Sequence, residues 1–245
     1  MLLLDIGNSR IKWASVAGGQ WQRQGAAGIT EWPVLRQALA TLPQPQKILV
    51  SNVAGDETAQ QLRAACAAWD CPVEFIGARA EQCGVRNAYD HPAQLGSDRW
   101  AALIAAWQHE RAACLVVNCG TATTIDALSS AGEFLGGLIL PGMDMMRHSL
   151  AAGTAQLRMN AGNWREFPRN TADAMTSGAI QATVGAILRQ YELLGVPGAR
   201  CLLSGGAANK VQTHLGVPLL RVDNLVLQGL QIIGQQNLKE QGAIL

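Results

Sequence analysis

Asp5 closes a short apolar run, Leu2-Leu3-Leu4, and a glycine turn with two small polar residues, Gly7-Asn8-Ser9, follows Ile6. A second strand-like run then opens through Arg10, Ile11 and Lys12. Loops of this kind bind phosphate because backbone N–H groups and small hydroxyls close on oxygen without steric obstruction. Asp5 would repel a bare phosphate, so its chemistry is that of a cation ligand, Mg²⁺ with its waters. Lys12 supplies a second positive charge. A β-hairpin with an Asx-type turn accounts for the same residues equally well.

The second chemical candidate is Gln94-Leu95-Gly96-Ser97-Asp98-Arg99-Trp100. A carboxylate at a helix start is held ionised by the helix dipole and free N–H groups. An ionised Asp98 suits a base or acceptor for a hydroxyl proton in phosphoryl transfer. Ordinary helix capping explains an Asp there too. Arg99 beside it is disfavoured by the same dipole, which calls for a compensating anion such as a ligand carboxylate.

Leu115-Val116-Val117-Asn118-Cys119-Gly120-Thr121-Ala122 repeats the first loop's pattern. Each copy has three apolar residues, Asp or Asn, a spacer, Gly and then a small polar residue. Such internal duplication at about half the chain length is too long for a solenoid and implies a duplicated α/β domain. The two loops would then face each other across a nucleotide. Glycine loops also follow strand-like runs at 136–142 and 204–206. Four of them favour a cleft that cradles a polyphosphate. A Walker-type Gly-x4-Gly-Lys-Ser/Thr is missing, which excludes the P-loop solution, and the absence of Gly-x-Gly-x-x-Gly after the first strand argues against a Rossmann site.

The elements that must hold these loops are legible from periodicity. Strand-like runs cover 2–5, 10–16, 20–26, 47–53 and 73–76, with helical patterns at 32–42 and 56–69 between them. Residues 84–92 read as a turn-rich loop, and a helix runs from 92 or 97 to 109. The second half starts near 112, with strands at 114–118, 123–128 and 133–139 and a helix at 143–151. An irregular excursion over 153–170 and a long helix over 171–194 follow. A strand ending at 204, another at 217–222 and a closing helix at 225–238 complete the chain. The long helix carries small residues on one side, Ala174, Gly178, Ala182 and Gly185, which suits a helix pair or a dimer seam. With no linker between them, halves 1–111 and 112–245 should pack into one body with a cleft.

The chain has 245 residues, a formal net charge of +1 and 15% charged residues. No basic stripe with interleaved aromatics occurs, so nucleic acid is not an expected partner. Asp5 interrupts the apolar start, and no run is long enough to span a bilayer, so a cytoplasmic location is expected. The six cysteines show no Cys-x-x-Cys pair and no histidines at metal spacing, and most read as small buried thiols.

Together the motifs resemble the type III pantothenate kinases, also described as Bvg accessory factor-like proteins. The resemblance rests on Asp5-Ile6-Gly7-Asn8-Ser9-x-x-Lys12, Leu95-Gly96-Ser97-Asp98-Arg99, Gly120-Thr121-Ala122-Thr123-Thr124-x-Asp126, Gly136-Gly137-x-Ile139-x-Pro141-Gly142 and Ser204-Gly205-Gly206, over nearly the whole length. It implies the duplicated ribonuclease-H-like architecture shared with acetate and sugar kinases, hexokinase and actin. It further implies ATP-dependent phosphorylation of pantothenate, Mg²⁺, a monovalent cation (K⁺ or NH₄⁺), and a homodimer with the substrate pocket at the subunit seam. Carried over by motif, Asp98 is the base, and Tyr89, Gly96, Ser97, Asp98 and Arg99 line the pantothenate pocket. Residues 5–12 (Asp5, Ile6, Gly7, Asn8, Ser9, Arg10, Ile11, Lys12) and Thr121 hold ATP phosphates. Thr171 matches a pocket threonine contributed by the other subunit. Most members carry Asp where this chain has Asn118, at the monovalent-cation site, so cation affinity should fall. A non-catalytic nucleotide-binding regulator of the same fold is the alternative; an acetate or sugar kinase is disfavoured by the short chain and the Leu-Gly-Ser-Asp-Arg signature.

Overall fold

The computed structural model describes residues 1–154, 157–158 and 160–242, excepting the side chains of 238–242. Strand β1 (Leu2–Ile6) alternates sides, as a two-residue period requires. Leu2, Leu4 and Ile6 join one apolar cluster with Leu35, Leu39 and Leu62, while Leu3 joins another with Leu227 and Leu230. Around it lie β2 (Arg10–Ala17), β3 (Gln20–Gly28), β4 (Ile48–Asn52) and β5 (Val73–Phe75), in the order β3-β2-β1-β4-β5. Helix α1 (Trp32–Ala40) starts with proline in its first turn and buries Trp32, Leu35 and Leu39. Helix α2 (Asp56–Ala65) has Asp56 and Glu57 in its first turn and Arg63 in its last, matching its dipole. It ends before Trp69, because Trp69 N–H turns back to the Cys66 carbonyl at 3.0 Å.

Part of the expected loop at 84–92 is a small hairpin, β6 (Glu81–Gln82) with β7 (Val85–Asn87). Its turn residues Cys83 and Gly84 both have positive φ, 53° and 79°. A two-residue turn with both centres left-handed matches the twist of its strands, and a lone apolar Val85 gives no alternation to announce it. Helix α3 (Ser97–Glu110) is buried on all sides from Trp100 to Trp107.

The second unit repeats the first. Strands β8 (Cys114–Cys119), β9 (Ala122–Leu128), β10 (Glu133–Pro141), β11 (Arg200–Ser204) and β12 (Leu219–Arg221) are neighbours in the order β10-β9-β8-β11-β12. The directions match as well: β1 and β8 each pair antiparallel with the next strand and parallel with β4 or β11. Helices α4 (Met143–Gly153) and α5 (Thr171–Leu194) supply Met143, Ala179, Ile180 and Ile187 to its core. The duplicated ribonuclease-H-like fold expected above is therefore present. Between α4 and α5 the described residues form neither helix nor strand; residues 155, 156 and 159 of the excursion lie outside the described residues.

By contacts the chain divides into Met1–His109 with Asn224–Leu245, and Glu110–Asp223. The halves 1–111 and 112–245 differ from this in α6 (Leu225–Gly242), whose Leu227 and Leu230 pack on Leu3 and Leu49 of the first unit. No helix of the described residues is long and apolar enough to cross a membrane.

Candidate active site

In the first unit, Asp5 lies one residue before the end of β1. Antiparallel register sets it beside Lys12, and parallel register sets it beside Ser51. Partners in register share a face, so the three side chains point the same way. Burial pushes the Asp5 carboxyl up to about 7; Lys12 pulls it down, and nearby Asp98 pushes it further up. A carboxyl so placed gains from any cation that reaches it. The turn beyond is closed by Gly7 N–H donating to the Arg10 carbonyl at 3.0 Å. Asn8, Ser9 and Arg10 are exposed, whereas Ile6 and Ile11 are fully buried in the core. A ligand at this loop would meet only the backbone of those two isoleucines.

The other half of the site in this unit is the start of α3. Asp98 accepts the backbone N–H of Arg99 at 2.8 Å. Burial raises its carboxyl above the usual range, offset in part by that hydrogen bond and by the Arg99 guanidinium. Gly96 makes the arrangement sterically possible, since a Cβ there would lie 2.7 Å from Asp98 Oδ1. Arg99 is only 5% exposed, its Nη1 donates to the Tyr89 hydroxyl at 3.0 Å, and its guanidinium carbon lies 5.7 Å from the Tyr89 ring centroid. Tyr89 follows the β6–β7 hairpin, where its own N–H is held by Asn87 Oδ1 at 3.1 Å. Asp5, Lys12, Tyr89, Gly96, Ser97, Asp98 and Arg99 thus all belong to one unit, with Asp98 close enough to perturb Asp5.

In the second unit, Asn118 takes the position of Asp5, paired in register with Thr124 and Ser204 as Asp5 is with Lys12 and Ser51. Its turn is one residue tighter, closed by Gly120 N–H to the Ala122 carbonyl at 3.0 Å. The three glycine loops of this unit converge. Gly142 N–H donates to the Thr121 carbonyl at 2.9 Å, and a Cβ on Gly205 would lie 2.3 Å from the Cys119 carbonyl oxygen and 2.7 Å from Asn118 Oδ1. Thr171 is exposed at the first turn of α5, behind the capping side chain of Asn170, which accepts from Asp173 N–H at 2.9 Å.

Ser51 was not among the residues singled out from the sequence. Its signal was present: a serine closes the apolar run of β4 as Ser204 closes that of β11, each beside the loop residue Asp5 or Asn118.

The sequence profile of a family described as type III pantothenate kinase matches residues 1–193. A type III pantothenate kinase of Aromatoleum aromaticum is 50% identical over 97% of this chain and 98% of its own length. One from Nitrosospira multiformis is 46% identical over 96% and 91%. Among solved structures, a Sinorhizobium meliloti protein provisionally assigned as a 2-dehydro-3-deoxygalactonokinase superposes with a TM-score of 0.63 at 14% identity, covering 96% of this chain and 98% of its own. A Campylobacter jejuni Baf family protein, provisionally assigned as a transcriptional activator, gives 0.61 at 22% identity over 98% and 100%. At these identities the two structures speak to the fold alone.

Proposed function

The chain belongs to the type III pantothenate kinase family and phosphorylates pantothenate with ATP, the first step of coenzyme A biosynthesis; we propose that it does so with Asp98 as base and Asp5 as cation ligand. The observation that carries this assignment is the pair itself. Two carboxyls from different elements, both raised by burial, lie near enough for one to perturb the other, with Lys12 beside the first and Arg99 beside the second.

Asp98 takes the proton of the pantothenate hydroxyl as it attacks. Its fixed position against the α3 N-terminus holds it for that purpose, and its raised affinity for protons makes it a better acceptor than a solvated aspartate. Buried Arg99, oriented by Tyr89, receives the pantothenate carboxylate. Lys12 and the exposed Asn8-Ser9 turn receive ATP phosphate oxygens; Thr121 is a further phosphate-binding residue by the family motif. The carboxyl oxygens of Asp5 fit Mg²⁺, a hard ion that takes few protein ligands and keeps its waters. When bound, Mg²⁺ neutralises charge on the transferring phosphate. Asn118 offers a neutral amide oxygen to a monovalent cation, K⁺ or NH₄⁺.

The working form is a cytoplasmic homodimer. The small-residue side of α5 supports this: Ala174, Gly178, Ala182 and Gly185 are exposed, and beyond the helix's own backbone a Cβ built on either glycine meets open space. Ile139, Met145, Leu150 and Phe167 of the same unit are exposed too. Thr171 then reaches the neighbouring subunit's pocket. A non-catalytic regulator is not favoured, since it has no physical reason to keep Asp5, Asp98 and Arg99 together.

The test is a coupled ADP-release assay with pantothenate, acetate and glucose, with and without K⁺. Only pantothenate should support turnover, and Asp98→Asn should lower kcat by about 10²-fold with the fold intact. Equal turnover on acetate or glucose overturns the substrate; near-normal turnover of Asp98→Asn removes Asp98 from the mechanism.

A further inference from the structure

Asp5 and Asp98 come from a strand end and a helix start with no covalent reason to hold a constant separation. One contact ties the start of α3 to β4, the strand beside β1, at the level of Asp5. Ser51 stands beside Asp5 in the β1–β4 register and on the same face. Its hydroxyl is hydrogen-bonded to that of Ser97 at 2.9 Å, and Ser97 is the residue immediately before Asp98. Ser51 is fully buried and Ser97 is 8% exposed, so water does not compete for the bond. A buried hydroxyl pair between two rigid elements has little freedom to slide. Ser204 occupies the equivalent place beside Asn118 in the second unit, also buried, so the duplicated frame keeps a small hydroxyl residue at this register.

We propose that Ser51 is a positioning residue: through its hydrogen bond to Ser97 it sets the start of α3 against β1 and so fixes Asp98 relative to Asp5. Ser51 touches neither substrate. Its effect is on the alignment of the base, and it rests on the assignment of Asp98 and Asp5 made above. Loss of the bond lets the first turn of α3 relax away from β4. Misplacement of a reacting group by a fraction of an ångström lowers the rate of the chemical step without weakening binding of either substrate.

The experiment is a double-mutant cycle in the full-length protein, using Ser51→Ala, Ser97→Ala and the pair, with steady-state kinetics for ATP and pantothenate and a circular-dichroism melt of each. The expected result is a kcat lowered by about tenfold in each single variant, KM for both substrates within about twofold of the parent in Ser51→Ala, and a double variant no slower than either single one. Ser51→Thr, which keeps the hydroxyl at a strand position, should retain parental kcat. Parental kcat in Ser51→Ala, a rise in its KM at unchanged kcat, or losses that multiply in the double variant would each overturn the proposal. Should Ser51→Ala fail to fold, the contrast between Ser51→Thr and Ser51→Val, which differ in the hydroxyl alone, decides on its own. Asp98→Asn is assayed alongside. If it is active, the assignment of the base has failed; if it is inactive while the serine variants are normal, only the positioning role has failed.

Discussion

Asp5 shows how a single buried carboxyl links pH to stability. Its ordinary value of 3.8 is raised to about 7 by burial, and Asp98 shifts in the same direction. A group raised on folding binds more protons in the native state, so its stabilising contribution is complete below about pH 4 and is lost as pH rises through 7. For Asp5 alone that is up to about 4 kcal/mol. Urea unfolding of the ligand-free protein between pH 4 and 8 should show that decline, and Asp5→Asn should flatten it; an unchanged slope would mean that Asp5 is solvated. Asn118 supports a second prediction. Replacing a carboxylate by an amide removes roughly 4 kcal/mol of attraction for a cation a few ångströms away, before the cost of desolvating the acid is subtracted. The net is about 1–2 kcal/mol. Asn118→Asp should therefore lower the K⁺ concentration for half-activation by about tenfold, read from a K⁺ titration at constant ionic strength. Superimposable titrations would place Asn118 away from the ion.

At the scale of elements, the second unit's loops depend on backbones that touch. Gly205, with φ of 95° and no room for a Cβ against the Cys119 carbonyl, ties the end of β11 to the end of β8. Gly205→Ala should destabilise the protein by about 1–3 kcal/mol and raise KM for ATP, as the Asn118–Thr121 turn is pushed aside. A melting temperature equal to the parent's would show that the close approach is relieved cheaply. In α3 the logic is burial. Arg99 sits in a buried helix with its guanidinium on the Tyr89 hydroxyl, and periodicity in 97–109 marked the helix but not that partner.

For the whole molecule, the exposed small-residue side of α5 leads to a mixing experiment. Inactive Asp98→Asn chains are combined with Thr171→Trp chains, whose pocket is blocked. If Thr171 serves the neighbouring subunit, one site of each mixed dimer carries both defects and the other carries neither. Random exchange of equal amounts then restores about a quarter of parental activity. No recovery, with exchange verified by differently tagged subunits, would place both residues in the same chain's pocket.

The strand-turn-strand pattern around Asp5, its copy around Asn118, and most helix and strand positions were determined by the sequence alone. Alternation of apolar residues and glycine turns act over a few residues, so they are written locally. Even the equivalence of Asp5 and Asn118 survived unchanged as equal places in two sheets. The joining of Ser51 to Ser97, separated by 46 residues, was decided only when β4 and α3 packed. The same holds for the cover that raises Asp5 and Asp98, and for the docking of α6 on the first unit. Those features depend on which faces meet in three dimensions and on how much water the meeting removes, and no local spacing along the chain encodes either.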